Sequence, residues 1–249
     1  MLYNFIMQLL QDEKIEDLGY QGLQLIQSAN LYRFTTDAVL LANFCQNLTG
    51  KFCVEFGTGS GVVSILVSAK KHPKNVVAIE IQPQMYNLAV RNVELNNMQD
   101  QISVVLGDLK NAQNLIGQRL CDAVICNPPY RKVGSGQTQL DPVLAVCRHE
   151  ISATLSDVIV SAAKILNNKG SLYLVHQSCR LTEIVALCAQ NNLAVKEILP
   201  VCPRPNAEPN LVLIRAVKCG APDCMLHSPL CVLDEDGNYT PQAKAWYNL

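Results

Sequence analysis

The sequence predicts a single α/β domain whose core is a seven-stranded, mostly parallel sheet with helices on both faces. From Lys51 onward, short apolar runs alternate with stretches of helical character, which is the pattern of repeated β-α units. The apolar runs are continuous, as expected for strands that are buried on both faces. A glycine-rich turn at Gly57–Gly61 follows the first of these strands. With 249 residues and 49% hydrophobic content, the chain can bury the core of one such domain.

The predicted elements follow one another in regular order. The strands are Lys51–Phe56, Val76–Glu80, Ile102–Asp108, Cys121–Asn127, Ser171–His176, Ala194–Leu199 and Leu211–Val217. The helices are Val62–Lys71, Pro83–Asn96, Leu155–Asn167 and Leu181–Asn191. Because β and α units alternate, most strands are expected to run parallel.

The segments outside this pattern divide the single domain 1–249 into three parts. Residues 1–50 are predicted as an N-terminal helical segment, with a helix at Thr36–Gln46. Residues 51–218 form the α/β core, in which Pro200–Pro209 is expected to be an irregular connection because it contains four prolines. Residues 219–249 form a turn-rich tail, with a tight turn predicted at Asp234–Tyr239.

Charge and cysteine content argue against a protein with an overall basic surface for nucleic acid and against a cysteine-based metal site. The formal net charge is −1 and the pI is about 6.4, so any nucleic-acid contact must come from a local patch. The eleven cysteines are odd in number and include no CxxC pair. A thiol in an apolar segment behaves as a small hydrophobe, and this is expected of Cys45, Cys53, Cys121, Cys126, Cys147, Cys179 and Cys188. Cys219, Cys224 and Cys231 of the tail lack the spacing of metal ligands. We therefore expect reduced thiols and no metal site.

The N-terminal stretch Met1–Leu10 is apolar but has no basic region and no cleavage site of the kind found in signal peptides. No apolar run reaches the length needed to span a membrane. The sequence accordingly predicts a soluble, cytoplasmic protein without membrane contact.

The turn after the first strand, Glu55-Phe56-Gly57-Thr58-Gly59-Ser60-Gly61, is typical of a nucleotide-type site. Glycines let the backbone turn sharply and approach a ligand beyond the carboxyl end of a strand. A Walker loop would need a lysine after its last glycine, and a dinucleotide fingerprint would need glycine in place of Val62. The remaining pattern, GxGxG after an acidic residue, resembles the S-adenosylmethionine loop of class I methyltransferases. In that arrangement Glu55 would address the amino-acid end of the cofactor, and Gly57, Thr58, Gly59 and Gly61 would contact it.

Two further strand ends carry carboxylates. Glu80 ends the second strand, where it can accept both ribose hydroxyls, and Ile81 follows it in the cofactor site. Asp108 ends the third strand and fits an acceptor for the adenine amino group. Either acid alone can be a helix cap, and Glu80 would also suit NAD. One acid at each successive strand end favours an adenosine-containing cofactor.

The fourth strand ends in Asn127-Pro128-Pro129-Tyr130, which is the most specific motif in the chain. An exocyclic amino nitrogen or an amide nitrogen is a poor nucleophile because its lone pair is delocalised. The Asn127 side-chain oxygen and the Pro128 carbonyl can accept its hydrogens and free that lone pair. Proline restricts the backbone and so fixes the carbonyl, and Tyr130 can stack on a planar target. The motif therefore predicts methyl transfer to such a nitrogen by positioning and fixed dipoles, without a general base. Asn127 is also expected to contact the cofactor.

The chain as a whole, from about Asp12 to Tyr247, resembles the bacterial tRNA1(Val) adenine-37 N6-methyltransferases. The stretches that carry the resemblance are LYRFTTDAVLLANF, VEFGTGSGVVSILVSAK, AIEIQPQM, NPPYRKVGSG, RHE and PLCVLDEDGNYTPQAKAWY. The resemblance implies a Rossmann-like methyltransferase fold, S-adenosylmethionine as cofactor and transfer to N6 of an anticodon-loop adenine in a valine tRNA. It also implies that the segment around Phe34 and Asp37 closes over the cofactor, although Phe34 can equally pack in the core.

RNA contacts are predicted first at Arg131 and Lys132, which follow the NPPY motif. Arg131 stands where the family has an aromatic residue, which places the detail of base stacking in question. Further candidate phosphate contacts are Arg148, His149, Arg180 and Arg204, although a salt bridge is the alternative for each, and His149 can equally cap a helix or pack.

Other functions are compatible with the same motifs. A glutamine N5-methyltransferase acting on release factors uses the same NPPY chemistry, but its helical substrate domain does not fit within about 50 residues. Another RNA or DNA adenine N6-methyltransferase is an alternative, and so is a noncatalytic RNA-binding protein with a degenerate methyltransferase fold. Intact Gly57, Gly59, Gly61 and Asn127 favour an enzyme over the last of these.

Overall fold

The computed structural model describes residues 9–31, 36–128 and 153–247. The strands are β1 (Glu13–Asp17), β2 (Gln24–Ser28), β3 (Phe52–Phe56), β4 (Asn75–Glu80), β5 (Ile102–Leu106), β6 (Cys121–Cys126), β7 (Leu166–Gln177), β8 (Leu193–Cys202), β9 (Leu211–Lys218), β10 (Met225–Leu226) and β11 (Leu230–Cys231). The helices are α1 (Thr36–Phe44), α2 (Val62–Lys71), α3 (Pro83–Leu95), α4 (Ala112–Leu115), α5 (Leu155–Ile165), α6 (Leu181–Gln190) and α7 (Pro241–Tyr247). All seven predicted strands and the helices predicted between them are present.

Within the described residues, nine strands form one central sheet in the order β10-β8-β9-β7-β6-β3-β4-β5, with β11 also paired to β8. The strand β3 lies between β4 and β6 and runs parallel to both. The strand β9 runs antiparallel to β7 and to β8. The predicted seven-stranded, mostly parallel sheet is therefore confirmed, and β10 and β11 add two short strands at one edge.

Both faces of the sheet carry an apolar layer, as continuous apolar strands require. Helices α1 and α2 cover one face, where Leu41, Ile65 and Leu66 are almost completely buried. Helices α5 and α6 cover the other face through residues such as Ile159 and Ile184. The sheet is thus held from both sides, and its strand ends remain available for a site.

The region ahead of α1 differs from the prediction of a helical N-terminal segment. The helix predicted at Thr36–Gln46 is present as α1, but β1 and β2 form an antiparallel hairpin before it. Its turn contains Gly19 and Gly22, both at positive φ, and the Gly19 N–H donates to Asp17 Oδ1 at 2.7 Å. Such turn chemistry favours two short strands over a helix. The prediction was wrong for this part of the segment.

The proline-rich connection also begins later than predicted, because β8 continues through Pro200 to Cys202. The carbonyl of Ile198 accepts from the His227 N–H, and the carbonyl of Cys202 accepts from the Val232 N–H, both at 2.9 Å. The backbone N–H and C=O groups of every second residue of β8 therefore point towards the outer edge of the sheet, and Pro200 is one of these residues. Its missing N–H falls between the short strands β10 and β11, where the ladder does not require it.

The C-terminal tail packs on the body of the domain. The strands β10 and β11 extend the sheet, and Leu230 is completely buried. The tight turn predicted at Asp234–Tyr239 is confirmed by the Leu233–Tyr239 bridge and by Gly237 at φ +83°. Helix α7 lies against α1, and the Asn43 side-chain amide donates to the Trp246 carbonyl at 2.8 Å.

Most of the described cysteines that were predicted to lie in apolar segments are buried. Cys45, Cys53, Cys121, Cys126 and Cys188 are buried, and burial raises the pKa of the Cys53 and Cys188 thiols to about 12. Cys179 is exposed, because it lies in the short turn ahead of α6 and not in an apolar strand or helix. Across the described ranges, no helix has the length and apolar character to cross a membrane.

Candidate active site

The candidate site lies where the carboxyl ends of neighbouring parallel strands meet. Phe56 is paired with Ile79 of β4 and with Cys126 of β6. Gly57, Glu80 and Asn127 each follow one of these residues, so they lie at the same level of the sheet. Phe34, Pro129, Tyr130, Arg131 and Lys132, which the sequence also assigns to the site, fall outside the described residues.

The glycine turn has the backbone that its sequence requires. Gly57, Gly59 and Gly61 have φ values of +66°, +58° and +85°, in the region that side chains other than glycine avoid. The N–H groups of Gly57 and Thr58 donate to the Ile79 carbonyl at 2.9 and 3.1 Å, which fixes the turn on β4. A Cβ at Gly57 would meet nothing within 4 Å. The turn therefore presents open backbone on the side where a ligand would lie.

Glu80 is the carboxylate that holds this turn in place. Its Oε2 accepts from the Gly59 N–H at 2.8 Å, and its Oε1 accepts from the Gln82 N–H at 2.9 Å. The side chain is only 4% exposed, and burial raises its pKa above the ordinary value. Each carboxylate oxygen has a second lone pair that can accept from a ribose hydroxyl. The geometry therefore fits the predicted role of Glu80 while adding a role inside the turn.

Glu55 lies beneath the turn. Its Oε2 accepts from the Thr58 hydroxyl at 2.7 Å, from the Ser64 N–H at 3.0 Å and from the Ser64 hydroxyl. The side chain is 2% exposed, and burial raises its pKa to about 7, although these hydrogen bonds oppose the shift. Glu55 thus ties the turn to the first turn of α2. Its contact with the amino-acid end of a cofactor remains a prediction.

Asp108 lies two residues beyond the end of β5. Its Oδ1 accepts from the Lys110 N–H at 2.9 Å, and its Oδ2 is 3.2 Å from the Lys110 ammonium. Asp108 is therefore the N-cap of a short 3-10 helix, which is the structural role that such an acid often has. The Gly107 N–H donates to the Glu80 carbonyl at 2.8 Å, which keeps this loop beside Glu80.

Apolar surface accompanies these acids. Ile81 is 40% exposed, so it is accessible to a ligand, and its contact with a cofactor remains a prediction. Leu106, the partner of Glu80 in the β4–β5 register, is 46% exposed. Leu106 was not predicted from the sequence, although it ends the strand that precedes Asp108. Both exposed apolar residues are neighbours of Glu80, Ile81 along the chain and Leu106 in the sheet register.

Asn127 and Pro128 are the described half of the NPPY motif. Asn127 is half-buried and Pro128 is buried, directly after β6. The next strand, β7, pairs Leu174 with Cys126 and continues past this level to His176. His176 is completely buried, and burial lowers its pKa to about 4. The His176 imidazole, in the strand beside the one that leads to Asn127, is therefore neutral at physiological pH.

The segment predicted to close over the cofactor is described only from Thr36. Asp37 lies in the first turn of α1 and is half-buried. Tyr247 of α7 lies close to the start of α1, since its pKa is raised to about 12 by burial and also responds to the charge of Asp37. The tail thus packs against the helix that contains Asp37.

The arginines proposed for phosphate contact fall into different environments. Arg180 is only 7% exposed, and its Nε and Nη2 contact the two carboxylate oxygens of Glu183 at 3.0 and 2.7 Å. Because the Arg180 guanidinium is buried and paired with Glu183, the prediction of a phosphate contact is wrong for Arg180. Arg204 is exposed in the loop after β8. Because β8 runs in the same direction as β6, this loop lies at the same end of the strands as Asn127. Arg148 and His149 lie outside the described residues.

Helix α3 supplies residues that the sequence reasoning did not assign to the site. Asn92 is completely buried, and its amide nitrogen donates to the Ser60 carbonyl of the glycine turn at 2.9 Å. The sequence signal that could have identified Asn92 is a polar residue on the apolar face of the predicted helix Pro83–Asn96. In the part of the chain that the structure describes, no three His, Cys, Asp or Glu side chains are grouped as metal ligands.

A family profile and the similar sequences all describe methyltransferases. The profile of the methyltransferase small domain family matches residues 35–185. A relative from Porphyromonas gingivalis strain W83, named tRNA1(Val) (adenine(37)-N6)-methyltransferase, is 26% identical over 201 residues, or 78% of each chain. A relative of the same name from Shewanella woodyi is 24% identical over 84% of this chain and 87% of its own.

Solved structures show the same fold at low identity. A predicted O-methyltransferase from Agrobacterium tumefaciens superposes with a TM-score of 0.68 at 24% identity, covering 85% of this chain and 95% of its own. The TYW2 protein of Methanocaldococcus jannaschii in complex with AdoMet gives a TM-score of 0.56 at 15% identity, covering 85% and 88%. These likenesses support the class I methyltransferase fold.

Proposed function

Because this chain belongs to the methyltransferase small domain family, we propose that it transfers a methyl group from S-adenosylmethionine to the exocyclic N6 of an adenine in tRNA. The observation that supports this most is the position of Asn127 and Pro128 directly beyond β6, level with the glycine turn of β3. A methyltransferase that acts on an amino nitrogen needs hydrogen-bond acceptors for that nitrogen close to its cofactor loop, and here both lie at the carboxyl ends of neighbouring strands.

The residues of the turn fit S-adenosylmethionine. Gly57 leaves open space beside its backbone, Glu80 retains acceptor capacity, and Ile81 and Leu106 offer an apolar surface. Glu80 would hold the ribose hydroxyls, and Gly57 and Gly59 would leave room for the amino-acid end. When bound, the cofactor supplies an electrophilic methyl group.

The chain's own residues prepare the nucleophile. The Asn127 side-chain oxygen and the Pro128 carbonyl accept the two hydrogens of the target amino group, which draws its nitrogen away from planarity. Tyr130 stacks on the flipped base and keeps it in line with the methyl group. The proton leaves after transfer, when the nitrogen has become acidic, so Asn127 and Pro128 need only orient and polarise.

We place the target at adenine 37 in the anticodon loop of a valine tRNA, and the reaction in the cytoplasm. Two relatives that match 78% and 84% of this chain have names that specify this nucleotide. Arg131 and Lys132, which follow the motif, and the exposed Arg204 would contact the RNA backbone.

The proposal is tested by offering labelled S-adenosylmethionine and three acceptors in parallel: tRNA from cells without this modification, release-factor protein, and DNA. We expect label in tRNA alone, with N6-methyladenosine recovered after digestion to nucleosides. Label in the protein would move the assignment to glutamine N5-methylation, and label in DNA would move it to a DNA adenine methyltransferase. No transfer to any acceptor by a chain that binds the cofactor would overturn the assignment of the acceptor.

A further inference from the structure

One face of α3 packs on the glycine turn. Met85, Ala89, Asn92 and Asn96 are spaced by four, three and four residues, so they lie along one side of the helix. A Cβ placed on Gly59 would lie 3.6 Å from Met85 Cε, and one on Gly61 would lie 3.5 Å from Ala89 Cβ. The turn therefore rests directly on this face.

Asn92 joins the glycine turn to the N-terminal hairpin. Its amide nitrogen donates to the Ser60 carbonyl at 2.9 Å and to the Ile26 carbonyl at 3.1 Å, while its oxygen accepts from the Ile26 N–H at 2.6 Å. The side chain has no exposed surface. Separating either segment from Asn92 would leave buried polar groups without partners, which is costly. One side-chain amide therefore makes hydrogen bonds to both the turn and the hairpin.

Asn96 provides the same link to the hairpin without a hydrogen bond to the turn. Its oxygen accepts from the Gln24 N–H at 2.9 Å, and its nitrogen donates to the Gln24 carbonyl at 2.8 Å and to the Asn92 carbonyl at 2.8 Å. A change at Asn96 weakens hairpin docking alone. A change at Asn92 weakens docking and also releases Ser60.

We propose that Asn92 is a positioning residue that couples the hairpin β1–β2 to the cofactor turn. The hairpin is then part of the cofactor-binding unit: occupancy of the turn stabilises hairpin docking, and a docked hairpin stabilises the binding conformation of the turn. The coupling must act equally in both directions. The inference rests on the proposed function only as far as cofactor binding, and not on the identity of the methyl acceptor.

Hydrogen–deuterium exchange of residues 24–28, with and without saturating S-adenosylhomocysteine, tests the coupling. The Ile26 N–H is suited to this because it donates to Asn92. We expect the ligand to slow exchange of this peptide in the wild type and in Asn96→Ala. In Asn92→Ala we expect the slowing to be lost and calorimetric affinity for the ligand to fall about tenfold, as for loss of a buried hydrogen-bonding group. The thermal midpoints of both variants show whether each remains folded.

The outcomes separate this inference from the proposed function. A ligand that binds the wild type without slowing exchange in residues 24–28 overturns the coupling and leaves methyl transfer untouched. Equal slowing and equal affinity in Asn92→Ala overturn it as well. If Asn92→Ala does not fold, the wild-type measurement alone decides. A wild-type chain that does not bind S-adenosylhomocysteine contradicts the proposed function itself.

Discussion

Two polar side chains at neighbouring strand ends, Asn127 and Glu55, differ in their surroundings. Asn127 is half-buried after β6, whereas Glu55 is 2% exposed and accepts hydrogen bonds from Thr58 and Ser64. A partly exposed amide at a strand end can meet a substrate. A buried carboxyl that is bonded within its own turn acts first on the conformation of that turn. Substitutions at the two residues should therefore change different measurements.

Asn127→Ala should reduce turnover while leaving cofactor binding nearly intact. Removing one fixed acceptor of the target amino group should lower kcat by about 10²- to 10³-fold, by analogy with the loss of a preorganised transition-state hydrogen bond. Single-turnover methyl transfer and calorimetry with S-adenosylhomocysteine measure the two effects separately. Turnover close to that of the wild type would contradict the role assigned to Asn127.

Glu55→Gln should change the pH dependence of stability. The pKa of Glu55 is raised from 4.5 to about 7, so between these pH values the folded state keeps a proton that the unfolded state releases. This contribution to stability is fully present below pH 4.5 and is lost as the pH rises through 7. The free energy of unfolding of the wild type should therefore fall by about 3 kcal/mol relative to that of Glu55→Gln between pH 4.5 and pH 8.

Urea unfolding of both proteins at several pH values measures this difference. His176, whose pKa is lowered to about 4, titrates in both proteins, so its effect cancels in the comparison. Parallel stability curves for the two proteins would contradict the raised pKa of Glu55.

Among the structural elements, the glycine turn offers a matched pair of substitutions. Gly57 and Gly237 have φ values of +66° and +83°, and a Cβ at either residue would meet nothing within 4 Å. Alanine at either position should cost about 1 kcal/mol of stability, because the left-handed region is unfavourable for side chains. Gly57→Ala should in addition weaken S-adenosylmethionine binding, because its Cβ would enter the open side of the turn. Equal cofactor affinity in both variants would argue against a ligand on that side.

The elements of the core were predictable because local patterns specify them. Helix α2 begins and ends as predicted, since Gly61 caps its start and His72, at φ +57°, ends it. The hairpin β1–β2 was not predictable in the same way. It docks through Asn92 and Asn96, which lie 66 and 72 residues from their partners Ile26 and Gln24. Contacts of this separation leave no periodic signal in the hairpin sequence.

The site was predictable to a similar extent. Gly57–Gly61, Glu80 and Asn127 follow from motifs at strand ends, and the strand register brings them together. The sequence did not indicate that Glu55 is enclosed by Thr58 and Ser64, because that enclosure depends on how the turn folds back over β3. Motifs identify the candidate residues, while tertiary contacts decide which of them are enclosed and which are accessible.

For the molecule as a whole, the C-terminal tail contributes to stability. Helix α7 packs on α1, Ala243 is buried, and Asn43 and Lys70 donate to the Trp246 carbonyl at 2.8 and 3.4 Å. Removal of residues 241–249 would expose these groups and the side of α1 they cover. We expect the free energy of unfolding to fall by about 2 kcal/mol or more.

Urea unfolding of the shortened chain checks this expectation. Met225→Ala, which trims a side chain that is 61% exposed, serves as the control and should change stability by no more than about 0.5 kcal/mol. A shortened chain as stable as the wild type would mean that the tail contributes little to the stability of the domain.

Methyl transfer to N6 of adenine 37 can be tested with a transcript of tRNA1(Val) that carries no modifications. The transcript is incubated with this protein and S-adenosylmethionine, digested and mapped by mass spectrometry, beside a transcript in which adenine 37 is replaced by guanine. We predict N6-methyladenosine at position 37 of the first transcript and no methylation of the second. Methylation at another position, or equal methylation of both transcripts, would contradict the account.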